Sequence, residues 1–102
     1  MPLSHLYILS NSSRTALYIS VTSDLHTTIY RHKIASQSGR RQKAILVHLL
    51  YFEGYADIQF AIDRKKQLWR LKKNRKWALI MLANPKLEEL ASLEMGKYEA
   101  AP

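Results

Sequence analysis

The chain contains no cysteine, which excludes disulfides and thiolate metal sites and leaves the redox compartment open. It has no apolar run near the ~20 residues that span a bilayer. The opening Met1-Pro2-Leu3-Ser4-His5 lacks the basic region and long apolar stretch of a secretory signal. The expectation is a soluble, intracellular, cytoplasmic protein with no membrane partner. Glycine-rich phosphate loops, nucleophile motifs and dinucleotide fingerprints are all missing, as are internal repeats and low-complexity tracts. Acidic residues are scarce.

What is present is an ordinary globular balance, 47% hydrophobic and 24% charged over 102 residues. That is the size of one domain with one core, here read as residues 1–102 with a frayed tail over 94–102. Sixteen Lys and Arg against eight Asp and Glu give a net charge of +8. The excess is concentrated. Arg64, Lys65, Lys66, Arg70, Lys72, Lys73, Arg75 and Lys76 lie between Ala61 and Trp77, opposed only by Asp63. Beyond Lys86 the sign reverses, with Glu88, Glu89, Glu94 and Glu99. Such a segment attracts polyanions through phosphate contacts and counterion release. The plainer reading, a helix face kept basic for solubility, carries equal weight on this segment alone. An anionic membrane surface is a weaker third, because no broad apolar face lies opposite the charges.

Along the chain, the run His5-Leu6-Tyr7-Ile8-Leu9 ends at a polar cluster, Ser10 to Arg14, and Ala16-Leu17-Tyr18-Ile19-Ser20-Val21 follows. Two such runs across a short polar connection predict an antiparallel hairpin. Thr22-Ser23-Asp24 supplies helix-capping groups, after which Leu25, Ile29 and His32 share one helical face. Residues 36–43 have no period and read as a mobile basic loop. Residues 45–52 read as a third, buried strand, and 57–71 as the clearest helix, with Ile58, Ala61, Ile62, Leu68 and Trp69 on its inner stripe. A helix from about 75 to 83 stops at Asn84-Pro85, and 86–93 reads as a short C-terminal helix. The fold class is therefore α+β, a three-stranded antiparallel sheet flanked by helices in the order β-β-α-β-α-α-α.

These residues resemble a family. Tyr7-Ile8-Leu9, the turn and Leu17-Tyr18-Ile19-Ser20-Val21-Thr22-Ser23-Asp24-Leu25 resemble the opening hairpin of GIY-YIG nucleases, in particular the small single-domain members. Ile29-Tyr30-Arg31-His32-Lys33 resembles the helix that follows. Leu50-Tyr51-Phe52-Glu53 resembles the third strand, Ala61-Ile62-Asp63-Arg64-Lys65-Lys66-Gln67-Leu68 the long helix, and Ala83-Asn84-Pro85 the closing segment. The ordered series covers roughly residues 3–90. The resemblance implies hydrolysis of a phosphodiester in nucleic acid, DNA first, at a single divalent metal. It places Tyr7 and Tyr18 at the motif tyrosines, His32 at a first-helix histidine and Asn84 at a late asparagine.

Two positions depart in ways that strike at the chemistry. The family's first-helix arginine falls on Thr28, and its metal-binding glutamate falls on Lys65. The glycine closing the second motif is Ser20, and the first motif reads His5-Leu6-Tyr7. At about 100° per residue, Lys65 lies between Ile58 and Ile62 in the centre of the apolar stripe. A lysine there can snorkel. Because Arg64 and Lys66 point off the stripe, the expectation is instead that Lys65 faces the sheet or cleft. Hard divalent metals need anionic oxygen ligands, which an ammonium cannot supply.

The expectation that follows is a GIY-YIG-like nucleic-acid-binding domain, catalytically impaired and without a cofactor. Tyr7, Tyr18, Thr28, His32 and Lys65 would line one concave surface, and Lys65, Lys66, Arg70, Lys72 and Lys73 would hold nucleic acid. One alternative is an active endonuclease holding Mg²⁺ or Mn²⁺ with another acid, such as Glu53 or Asp57. Another is a basic protein-interaction module. The plain readings stand beside these: tyrosine is a common strand residue, a histidine on an apolar face commonly packs, and Trp69 and Trp77 suit core or helix–helix contacts. His5, His26 and His48 have no metal-site spacing.

Overall fold

The computed structural model describes residues 3–37 and 46–90. Strands β1 (Ser4–Ser10), β2 (Leu17–Thr22) and β3 (His48–Tyr55) form one sheet, and helices α1 (Leu25–Gln37), α2 (Ile58–Trp69) and α3 (Lys73–Ala83) flank it. The strand order is β2-β1-β3 with both pairings antiparallel. This is a small α+β fold. The central strand explains its own sequence: β1 is covered on both faces, so Leu6, Tyr7, Ile8 and Leu9 are all buried rather than alternating with polar residues.

Alternation along β1 divides the core in two. Tyr7 and Leu9 face α1 and pack with Leu25, Ile29 and Leu49. Leu6 and Ile8 face the other way and pack with Ile19, Leu50, Leu68 of α2 and Ile80 of α3. A register shift between Ile8 and Leu9 leaves Leu50 as the extra residue on β3. Leu49 and Leu50 enter opposite halves of the core by ordinary alternation, whereas the bulge puts Leu50 and Tyr51 in the same half.

Helix entry follows the caps. The Asp24 carboxylate accepts the Thr27 N–H at 3.2 Å, and the Asp57 carboxylate accepts the Gln59 N–H at 2.9 Å. On α1, Leu25 and Ile29 are buried and His32 half-buried, as the spacing predicts.

Several expectations need correction. The third strand is not 45–52 but His48–Tyr55; it continues through Glu53 because Arg64 neutralises that carboxylate. On α2, Ala61 and Leu68 are buried, but Ile58 is 40% and Trp69 65% exposed, so the inner stripe is narrower than the spacing suggests. Residues 86–90 are not helical, and the described part of the chain has three helices. There Leu87 takes a left-handed φ of 51°, and the Leu90 N–H donates to the Leu49 carbonyl at 2.7 Å. The segment is bonded to the sheet instead of to itself. Residues 91–93 of the expected helix, 38–43 of the expected loop and the 94–102 tail lie outside the described residues; 36 and 37 belong to α1.

Candidate functional site

Two surfaces collect the residues that the sequence singles out, and they lie on different elements. The first is on the α1 side of the sheet. Tyr7 stands directly across from Ser20 in the β1–β2 register, and Tyr18 precedes Ser20 by two, so both tyrosines share a face as diagonal neighbours. Their ring centroids are 6.3 Å apart. His32 of α1 completes the group, at 6.1 Å from the Tyr7 ring and 5.7 Å from the Tyr18 ring. The Tyr7 hydroxyl is 3.5 Å from His32 Nε2.

Burial sets the protonation of this pair. Desolvation raises the Tyr7 phenol above its ordinary value, with a hydrogen bond to Ser20 pulling the other way and Tyr18 adding to the rise. Desolvation lowers the His32 imidazole. Near neutral pH the two groups are therefore a protonated phenol beside a neutral imidazole, a pair able to pass a proton but carrying no net charge.

Thr28 sits beside this group, its hydroxyl 2.6 Å from that of Thr22, which ties α1 to the end of β2. A shallow cavity of about 290 Å³ is lined by Thr28, Arg31, His32 and Ala35. Arg31, one turn after Thr28, escapes notice in the sequence. Its signal there is the i, i+3 spacing, which puts both residues on one helix face.

The second surface is basic. Lys65 does not join the tyrosines. It lines a cavity of about 430 Å³ with Ile62, Lys66, Trp69 and Arg70, on a helix whose buried residue Leu68 packs against the opposite face of the sheet. Lys72 immediately precedes α3 and Lys73 begins it; Lys66, Arg70, Lys72 and Lys73 are exposed and Lys65 is half-buried. Among the described residues none of these five cations forms an ion pair. Lys76 of α3 places its ammonium 5.5 Å from the Trp69 ring centroid.

The chain matches no protein-family model, no curated protein and no solved structure among those compared.

Three further residues belong to neither surface. Arg64, expected off the inner stripe, turns to Glu53. Glu53 also accepts the hydroxyls of Tyr51 and Tyr55. Burial opposes its ionisation, but Arg64 and the two tyrosines outweigh it, so the carboxyl is held below its ordinary value. Tyr51 is pushed up to about 12 by burial and by its bond to Glu53. Glu53 pairs with Leu6 in the β1–β3 register, on the face away from Tyr7. Asn84, expected near the chemistry, is buried and consumed by backbone groups. Its amide nitrogen donates to the carbonyls of Leu50 at 3.0 Å and Glu88 at 2.8 Å, and its oxygen accepts the Glu88 N–H at 3.1 Å.

The divalent metal implied by the resemblance finds a poor fit. Glu53 is saturated by its own donors, and Asp57 caps α2. Among the described residues no group of three or more His, Asp or Glu could hold a metal ion.

Proposed function

We propose that this domain binds nucleic acid, DNA first, on a GIY-YIG-like fold whose hydrolytic chemistry is lost or nearly so. The observation that carries the binding half is the convergence of Lys65, Lys66 and Arg70 on one cavity, continued by exposed Lys72 and Lys73 at the start of α3. Cations at the positive end of a helix are unfavourable by a few tenths of a kcal/mol each. Lys73, Arg75 and Lys76 occupy the first turn or so of α3, with no acidic residue in that turn and no side-chain cap on the helix. A bound phosphate would relieve both the repulsion and the unsatisfied N–H groups. A surface kept basic only for solubility has no reason to gather its charge there.

The reading of lost hydrolysis rests on Thr28, because Lys65 lines the other surface and its charge does not bear on the tyrosine group. Thr28 supplies a hydroxyl already committed to Thr22, not a cationic clamp, and such clamps are commonly worth ~10²-fold or more in rate. Tyr7, Tyr18 and His32 keep a proton-transfer arrangement without the electrophile that would make it hydrolytic.

Fluorescence anisotropy with a labelled duplex, repeated across a salt series, tests the binding. Affinity should fall steeply with salt. Replacing Lys65, Lys66 and Arg70 by alanine should flatten the log–log slope by roughly 0.7–0.9 for each phosphate no longer neutralised. Salt-independent binding, or no binding of either a duplex or a single strand, would refute the proposal, and an acidic peptide that binds where DNA does not would establish the protein-interaction alternative.

A further inference from the structure

Trp69 is the last residue of α2 and leaves 65% of its surface exposed. Large aromatic rings are normally covered in a free domain, and a charged neighbourhood gives this one no apolar reason to stand out. It nevertheless lines the same cavity as Lys65, Lys66 and Arg70. Those cations lie within about 6 Å of it along the helix axis, four and three residues before it and one after. Lys76, from the next helix, sits over the ring at 5.5 Å. One ammonium can cover at most one face of an indole, and it fixes the ring's orientation while adding a further cation to the edge of the cavity.

We infer that the basic surface takes single-stranded nucleic acid, with Trp69 as the platform on which an unpaired base stacks. This rests on the nucleic-acid reading above and names its substrate class. In a duplex the base faces are already stacked on each other, so a flat ring set among phosphate-binding cations has nothing to meet. In a single strand each base has a free face, and a groove that combines cations with an exposed aromatic engages backbone and base together. The apolar side of Ile62 in the same cavity suits a base and not a phosphate. Stacking of this kind is tolerant of sequence, so the preference is for strandedness.

The test uses the full chain, a labelled 15-mer of oligo(dT) and a duplex of equal length, at one ionic strength. Oligo(dT) should bind the tighter of the two and quench tryptophan emission, and the duplex should not quench it. Trp69→Ala should weaken oligo(dT) binding by about 5- to 100-fold and leave duplex binding within about twofold. Trp69→Phe should keep most of the affinity while losing the quench, since Phe still stacks but Trp77 is then the sole tryptophan left to emit. Equal affinity for the two ligands without quenching, or a Trp69→Ala variant that binds oligo(dT) as before, would overturn the stacking role and leave DNA binding standing. Failure of both ligands to bind would remove the nucleic-acid reading itself. The quench of the unaltered protein decides the matter even should a variant fold poorly.

Discussion

Arg64 of α2 holds the Glu53 carboxylate of β3, its Nε 3.1 Å from Oε1 and 3.3 Å from Oε2. The contact links a helix to the edge strand of the sheet and takes Arg64 out of the basic run that the sequence presents. It also occupies Glu53, one of the two acids, with Asp57, that the sequence offers as a metal ligand. Arg64→Ala should therefore destabilise the fold by about 1–3 kcal/mol, because it leaves a half-buried carboxylate short of its charged partner. Lys66→Ala, with its ammonium exposed, should change stability by less than about 0.5 kcal/mol. Urea denaturation of the two variants checks the contrast, and equal effects would contradict it.

Acid should weaken the protein in two stages. Burial lowers His5 and His32 below their ordinary 6.5, so between that value and the folded one the unfolded chain holds more protons and stability falls as pH falls. Glu53 and Glu89 lie below their ordinary 4.5. Burial opposes ionisation in both; Arg64 with two tyrosines outweighs it for Glu53, and Lys33 with His48 for Glu89. Their contribution is complete above about 4.5 and is lost as pH drops through the folded values. Melting temperature followed across both windows, from neutral pH down to strong acid, should decline in each, and Glu53→Gln should flatten only the lower one. A melting temperature that rises on acidification through either window would be inconsistent with these shifts.

Asn84 binds together the end of α3, the β3 backbone and the closing segment. Asn84→Ala removes three hydrogen bonds to buried or half-buried main-chain groups and should cost about 2–4 kcal/mol of stability. DNA affinity of the folded variant should be unchanged. Asn84→Ala that keeps full stability and alters nucleic-acid binding would return this residue to a functional role.

With Mg²⁺ or Mn²⁺ the purified protein should show no cleavage of single- or double-stranded DNA above background. Tyr18→Phe, remote from the basic cavity, should leave DNA affinity within about twofold. Metal-dependent cleavage by the unaltered protein that Tyr18→Phe abolishes would overturn the loss of hydrolysis and show that another acid serves the ion.

Much of the architecture is legible in the sequence because it depends on local pattern. The hairpin follows from two apolar runs around a polar turn, α1 from Asp24 and the Leu25–Ile29 spacing, and the end of α3 from Asn84-Pro85. The closing segment is not legible, because residues 86–90 have helical composition while the decisive contacts, Leu90 to Leu49 and Asn84 to Leu50, are with a strand distant in sequence. The end of β3 is hidden too, since Glu53 reads as a solvent residue until Arg64 is beside it. The Tyr7, Tyr18 and His32 group can be anticipated, since two strand positions on one face and one helix face converge once the hairpin and α1 are in place.

The sequence by itself determined the order of the three strands and the three helices, the basic segment and the residue identities at Thr28 and Lys65, since each is a matter of residue identity and short-range periodicity. Only the tertiary structure decided which cations are free and which are spent internally, because Arg64 and Lys66 differ by two residues and their fates depend on whether a carboxylate lies within reach across the sheet edge. It likewise separated Lys65 from the tyrosines and left Trp69 exposed. Helical phase gives a side chain's direction, but what it meets there is fixed by how α2 crosses the sheet and how far the sheet extends beneath it.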